Sequence, residues 1–573
     1  MKTLLLLAYF STAAYCADDV TDWIKANSIP LSTVEAGHGF EDMQPLMKIV
    51  GEARIVALGE ATHGSREFFQ LKHRMLEFLA TEMGFTIFSI EANMPESYRL
   101  NEYVLTGKGD PKQLLSGLYF WTWNTEEVLA MIEWMREFNK SGKGRIEFTG
   151  FDMQTPNVAI DTVRAFIAKN DPTYMAVLET AAKQALEPPR SAAQANFGVA
   201  TATIPTEVIR GKKVHLSGYV KTQDITKGYA GLWMRVDGPS AVAAFDNMGN
   251  RGITGTTDWT KYDIELAAPW DAKHINFGGI LTGDGTAWID GLTLELDGKP
   301  YDPGEAADFD FERSAQGFFL GGNGYDVAMD ATQFHSGKQS LRMKFVGGVA
   351  PQKEIERTDP TLVVANWLEV LEHLRMSRES YLKKTLTAAE IDWIIQNSGI
   401  VLQCVQLRAG HISRDQSMAS NVAWILEQSP KAKIVLWAHN GHVAVKEQFG
   451  YRPMGSFLRQ AYGDKMVVFG FAFNQGGFQA VEAKKGLHDF TLPPAPAGSL
   501  DAKLASAGIP MFALDLRKSP KTGWWTEPHA GRSIGAMFAD ADADKYLYPT
   551  QAPKAYDALL FVEKTTPARK NTK

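Results

Sequence analysis

The chain has 573 residues, 59 Lys or Arg against 66 Asp or Glu, a net charge of -7, and hydrophobic and charged fractions of 45% and 22%. That length exceeds one ordinary core, so two or more domains are expected. The mildly acidic balance, with no long basic run, argues against a nucleic-acid partner, and two cysteines exclude an internal disulfide framework.

In chain order, MKTLLLLAYFSTAAYCADDV opens with one Lys, an apolar run from Leu4 to Phe10 and small residues near Ala14-Tyr15-Cys16-Ala17. It reads as an export signal over residues 1–16, which implies a secreted or periplasmic protein. Cys16 offers a lipid-anchor alternative, against which bulky Tyr15 stands. No other segment is long and apolar enough to be transmembrane.

The stretch VALGEATHGSREFFQLKHRMLEFL (Val56 to Leu79) is a buried strand, a tight turn and a helix. Ser65 stands at the N-cap position, apolar residues recur at helical spacing and Gly84 marks the stop. Glu60 and His63 lie on the loop between them. A second strand is expected over Phe85–Ile90, followed by Glu91, a helix over Thr125–Phe138, and a third strand over Arg145–Phe151 followed by Asp152. Strands alternating with helices predict an α/β fold with a mostly parallel central sheet and covering helices.

From about 196 to 348 the texture changes to short alternating runs such as LSGYVKT, AGLWMRVDG and AWIDGLTLEL, separated by Gly and Asp turns. This reads as an all-β sandwich insertion. Helical patterns return over Leu362–Glu372, Ala388–Leu407 and Ser413–Gln428. Strand patterns follow at Lys433–Ala438, leading into His439-Asn440-Gly441-His442, and at Lys465–Phe471 and Pro510–Leu516. The expected domains are the first catalytic part (17–190), the insertion (196–348) and the second catalytic part (355–573).

Parallel strands place their C-terminal ends on one side of a sheet, so Glu60, His63, Glu91, Asp152, His439 and His442 should converge. Two chemistries use such a set. An imidazole held by a carboxylate can take a proton from water that attacks an ester, with a second His or a basic residue stabilising the oxyanion. Alternatively, His63, His439 and His442 with Glu60 or Glu91 bind a divalent metal that activates the water; the spacing HNGH on a loop does not match H-E-x-x-H. There is no G-x-S-x-G elbow, P-loop or dinucleotide fingerprint, and Cys404 lies in an apolar helical segment as a buried, inert thiol.

The strings GEATHGSREFF (Gly59 to Phe69), FSIEAN (Phe88 to Asn93), FTGFDMQ (Phe148 to Gln154), RDQSMASN (Arg414 to Asn421), WAHNGHV (Trp437 to Val443) and MGSFLR (Met454 to Arg459) together resemble the erythromycin esterase family. The resemblance implies hydrolysis of a carboxylic ester or lactone, as in macrolide antibiotic resistance, with no metal or other cofactor. It implies His63 as general base, Glu60 and Glu91 as acidic companions, His439 and His442 completing the pocket, and Arg66, Arg74 and Asp152 as substrate-binding residues. The insertion is not part of that family's pattern. It resembles secreted carbohydrate-binding modules, with Trp233, Trp259 and Trp288 as candidate platforms for a glycan, which leaves a non-catalytic glycan-binding protein as a further alternative.

Overall fold

The computed structural model describes residues 15–571 apart from 188–196, 205, 238–241, 271, 273, 305–306, 323, 348–359, 385, 447–451 and 483–484. The expected export signal lies outside the described residues except where a helix, Tyr15–Asn27, begins. The expected ends of the insertion, near 196 and 348, also lie outside them. The chain forms two compact units. One comprises residues up to Asn170 with Arg378–Cys404 and Arg414 onward; the other comprises Asp171–Ser377 with Val405–Ser413.

The first unit is a mixed α/β structure built on a nine-stranded sheet. Its strands are β1 (Ser28–Pro30), β2 (Ile55–Leu58), β3 (Ile87–Asn93), β4 (Glu147–Asp152), β5 (Ile434–Trp437), β6 (Met466–Glu482), β7 (Gly486–Leu492), β8 (Met511–Asp515) and β9 (Ala558–Thr565). They run β1-β8-β9-β6-β2-β5-β3-β4 across the sheet, with β7 paired to β6. From β9 to β4 every neighbouring pair is parallel, whereas β1, β7 and β8 pair antiparallel. All residues of β2 and β5 are buried, as expected of strands covered on both faces.

Two placements go beyond the sequence pattern. β5 inserts between β2 and β3, strands consecutive in the chain, so the HNGH turn emerges beside both Glu60 and Glu91. Glu91 does not follow its strand but lies within β3, where the register with β4 shifts between Ile90 and Asn93. The irregularity turns the strand end and re-aims its side chains.

The helix Arg66–Met83 follows β2, with Ser65 at its N-cap position and Gly84 closing it at φ 71° in the left-handed region that glycine tolerates. The Ser65 hydroxyl makes no capping bond. This helix is buried on its polar side too: Lys72, His73, Arg74 and Glu77 all lie inside, alongside Phe68, Leu71, Met75 and Phe78. Burying four ionisable side chains on one helix is costly unless each has a specific partner or sheds its charge.

The second unit carries a ten-stranded all-β network with its own apolar core, including Leu216, Leu232, Phe277, Ile289 and Met343. One strand, Lys213–Asp237, runs 25 residues. Its first half pairs with Ile253–Ala267 and Thr286–Leu296, and its second half with His274–Thr282 and Val242–Asp246. The register shifts between the two halves, between Thr222 and Ala230, where the strand passes from one set of partners to the other. Of the three proposed sugar platforms, Trp288 is 6% exposed and donates to Asp330 at 2.8 Å, so core packing has taken it away from any ligand. Trp233 and Trp259 are half-buried.

Candidate active site

The site forms where β2, β5, β3 and β4 end side by side. Glu60 is fully buried and accepts from three donors: His63 Nδ1 at 2.6 Å and Lys72 Nζ at 2.6 Å, on separate oxygens, and Trp437 Nε1 at 2.7 Å, on the oxygen shared with Lys72. Burial opposes its ionisation, but the Lys72 charge and the His63 contact hold its carboxyl below the usual range. Lys72 is itself fully buried, 4.4 Å above the Trp437 ring, and burial lowers its ammonium to about 8 against the pull of Glu60. Because Glu60 engages Nδ1 of His63, the His63 Nε2 edge is the one left for a reacting molecule.

Glycine is required twice in the GEATHG turn. A side chain at Gly59 would collide with the Asn440 carboxamide, and one at Gly64 with the Gln479 backbone. Asn440 links the HNGH turn to β6 by accepting from Phe471 N at 3.0 Å and donating to Phe471 O at 2.7 Å. The turn therefore cannot shift without breaking a pair of buried bonds.

A second network surrounds Glu91. Its carboxylate accepts from Arg414 Nη2 at 2.7 Å and from the His439 backbone N–H at 3.0 Å, and lies 3.4 Å from His442 Nε2. Burial opposes the charge, yet His442 and Arg414 drive the carboxyl far below its ordinary value. Arg414 also reaches both oxygens of fully buried Asp152, at 3.1 and 2.6 Å. Despite burial, Asp152 and Glu91 keep the guanidinium firmly charged.

His442 Nδ1 stands 2.9 Å from Asp415 Oδ1, which also accepts from Met454 N at 2.7 Å. Burial works against the His442 imidazolium, but Glu91 and Asp415 outweigh it and raise its pKa. When neutral, its Nε2 accepts from Arg414 Nη1 at 3.2 Å; when protonated, it donates to Glu91.

His439 is different. Burial and the neighbouring His63 and His442 hold it neutral, with a pKa lowered to about 3. Its Nδ1 accepts from Gly441 N–H at 3.1 Å, so the proton of the neutral ring sits on Nε2. That Nε2 is buried with no hydrogen-bond partner among the described residues, and its ring lies 5.1 Å from the His63 ring.

The structure thus brings together Glu60, His63, Glu91, Asp152, His439 and His442. Arg74 is engaged elsewhere. Arg74 makes a two-pronged pair with Asp42, at 3.0 and 2.7 Å, and donates to the carbonyls of Thr33 and Gly39. Burial opposes that Asp42 charge, but Arg74 lowers the carboxyl to about 2, so Arg74 is committed to holding the N-terminal loop. Arg66 lies 3.5 Å from Glu127, at the helix start. The cation paired with Glu60 is Lys72, a residue whose place in an apolar-periodic helix gave no sign of a role. Arg414 and Asp415 stood in the RDQSMASN string without an assignment, and Trp437 read only as strand core.

Among the described residues, no group of three or more His, Cys, Asp or Glu side chains is arranged to hold a metal ion. Cys404 is buried and its thiol donates to Met153 O at 2.8 Å.

The model of the erythromycin esterase family matches residues 80–215 and 339–565, more than half of the chain. The chain belongs to the erythromycin esterase family. The match is interrupted across 216–338, within the all-β network. Among similar sequences are an Escherichia coli erythromycin esterase type II, 35% identical over 135 residues, and a Bacillus subtilis putative hydrolase, 30% identical over 154 residues. These alignments cover 23% and 26% of this chain and 31% and 33% of the relatives, so the chain matches about a third of their length. A crystal structure of a Bacillus cereus protein superposes with TM-score 0.60 at 20% identity, covering 97% of this chain and 99% of that one. A mutant of the erythromycin esterase EreC in its open conformation superposes with TM-score 0.52 at 12% identity, covering 95% and 98%. At those identities the likeness is one of fold.

Proposed function

We propose that this family member is a hydrolase that opens a carboxylic ester or lactone with water activated by His63. The observation that carries the reading is the buried Glu60–His63 contact at 2.6 Å, with Glu60 kept ionised by Lys72 and His63 and with neutral His439, whose Nε2–H has no hydrogen-bond partner among the described residues, beside it. His63 Nε2 removes a proton from water as its oxygen bonds to the carbonyl carbon, and Glu60 stabilises the resulting imidazolium. His439 Nε2–H donates to the oxyanion that develops. Collapse of the tetrahedral species breaks the bond to the alkoxy oxygen, which takes the proton from His63, leaving an acid and an alcohol. Arg414, Glu91, Asp152, Asp415 and His442 hold the second wall of the site, and the Glu91 carboxylate fixes the HNGH turn through the His439 backbone N–H.

The name of the Escherichia coli relative supports testing macrocyclic lactones first. Residues 1–16 support export of the protein, and intact mass of the mature chain tests that. The activity test is a panel of macrolides, simple lactones and aryl esters incubated with purified protein, with and without chelator, and product analysis by mass spectrometry. Hydrolysis of at least one class is expected to survive chelation and to fall to a few per cent or less in a folded His63→Ala protein. Substantial residual turnover in that variant would remove the general-base role; loss of activity in chelator with recovery on adding divalent metal would replace water activation by His63 with metal chemistry.

A further inference from the structure

A cavity of about 600 Å³ lies beside β3 and β4, its lining running from Ile87 and Glu147 at the strand starts to Met94 just past the end of β3, and it includes none of the catalytic cluster. Its floor includes Ile87 and Glu147, the first residues of those strands, four and five residues before Glu91 and Asp152. At about 3.3 Å per strand residue, these strand starts lie about 13–17 Å from Glu91 and Asp152. The cavity is within the size range of small-molecule sites.

Its walls are built by helices that spend apolar residues on facing it. In the helix Asn157–Asn170, one stripe of Ala159, Ile160, Val163 and Ile167 is buried, while Thr162, Ala165 and Phe166 line the cavity. Tyr98 is 54% exposed, yet its ring stacks on Trp393 at 4.7 Å and 22°, and Trp393 lies 6.2 Å from Trp424. Three aromatic rings from three helices thus stand around one space.

The charges at the mouth are matched. Arg145 pairs with Glu147 at 3.1 Å, and Lys169 acts on Glu390. The lining also carries polar side chains, among them Asn101, Gln428 and Ser429. Asn101 accepts from Phe148 N at 2.9 Å through Oδ1, and its Nδ2 has no hydrogen-bond partner among the described residues. Matched rim charges disfavour an ionic ligand, stacked rings favour a flat apolar body, and an amide N–H calls for an acceptor.

We propose that this cavity is a second ligand site, separate from the catalytic cluster, for a neutral, mostly apolar ring compound carrying a carbonyl or hydroxyl acceptor. The proposal is independent of the hydrolytic reading.

The probe is prodan, a neutral naphthalene ketone whose emission shifts to the blue in apolar surroundings. Titrated into the full-length protein, it should give a saturable blue shift with energy transfer from tryptophan. Ala165→Trp and Thr162→Phe, which fill the cavity from a helix surface, should weaken binding at least tenfold. His63→Ala should leave it unchanged. Replacing Trp393 and Trp424 together by Phe should remove most of the energy transfer, a readout that stands even if a filled variant fails to fold. A shift that never saturates, equal affinity in the filled variants, undiminished energy transfer in the double Phe variant, or displacement of prodan by an ester substrate in simple competition would overturn the proposal.

Discussion

Buried carboxylates serve different purposes in the two units. In the all-β network, Asp290 is fully buried and accepts from the backbone amides of His335 and Ser336 at 2.7 and 2.9 Å, which closes a loop. In the α/β unit, Glu60, Glu91 and Asp152 face ionisable side chains: His63, Lys72, Arg414 and His442. A carboxylate spent on backbone amides holds shape, whereas one spent on groups that can gain or lose a proton sets their charge.

The comparison would break first at Glu60. Glu60→Gln keeps the side-chain volume and removes the charge that holds His63, so the hydrolysis rate should fall by about 10²–10³-fold, measured as kcat on whichever ester the protein turns over. A change under tenfold would place Glu60 among the purely structural carboxylates.

Lys72→Met comes next. It leaves Glu60 buried without its ammonium partner, and breaking one side of a buried pair costs about 3–5 kcal/mol. Denaturant unfolding should show that loss, and kcat should drop by about an order of magnitude with a smaller change in KM. Stability lost with full kcat retained would make Lys72 a packing residue only.

Asp290→Ala tests the other half. Two backbone amides lose their acceptor, at about 1–3 kcal/mol for each orphaned donor. Calorimetry should show a lower transition temperature for the all-β network, while hydrolysis by the unchanged α/β site proceeds at the wild-type rate. Equal damage to kcat would erase the distinction.

The smallest effect is the pH dependence of stability. Burial lowers His73 to about 3, and burial with its histidine neighbours lowers His439 to about 3, from 6.5. Between those values the unfolded chain binds protons that the native chain does not, so each histidine removes stability as pH falls below 6.5, by up to about 1.4 kcal/mol per pH unit. Asp501, raised to about 7 by burial, acts in the opposite sense from 3.8 upward. His73→Phe should therefore flatten the acid-side decline in melting temperature, and Asp501→Asn should steepen it. Identical profiles in wild type and His73→Phe would remove the His73 contribution.

Much of the site was legible because each member sits at a recognisable local feature. Glu60 and His63 occupy a strand–turn–helix junction, and His439 and His442 follow an apolar run that could only be a buried strand. The helices Pro360–Met376, Ala388–Arg408 and Arg414–Gln428 also follow the expected periodicity closely. Strand β9 escaped, although ALLFVEKT is apolar, because it follows a turn-rich region with no flanking helix pattern. Arg74 misled because an exposed-looking cation on an amphipathic helix carries no sign of Asp42, 32 positions away.

From the sequence alone came the alternation of strands and helices, the all-β texture of the middle third and the residues at strand ends, since each depends on short-range periodicity and turn chemistry. The tertiary structure decided who meets whom. By inserting β5 between β2 and β3, it set Trp437 against Glu60 and the His439 backbone against Glu91; by packing the Arg414 helix over β4, it joined Arg414 to Asp152. Such pairings span hundreds of residues and follow from strand order and burial, which no local pattern encodes.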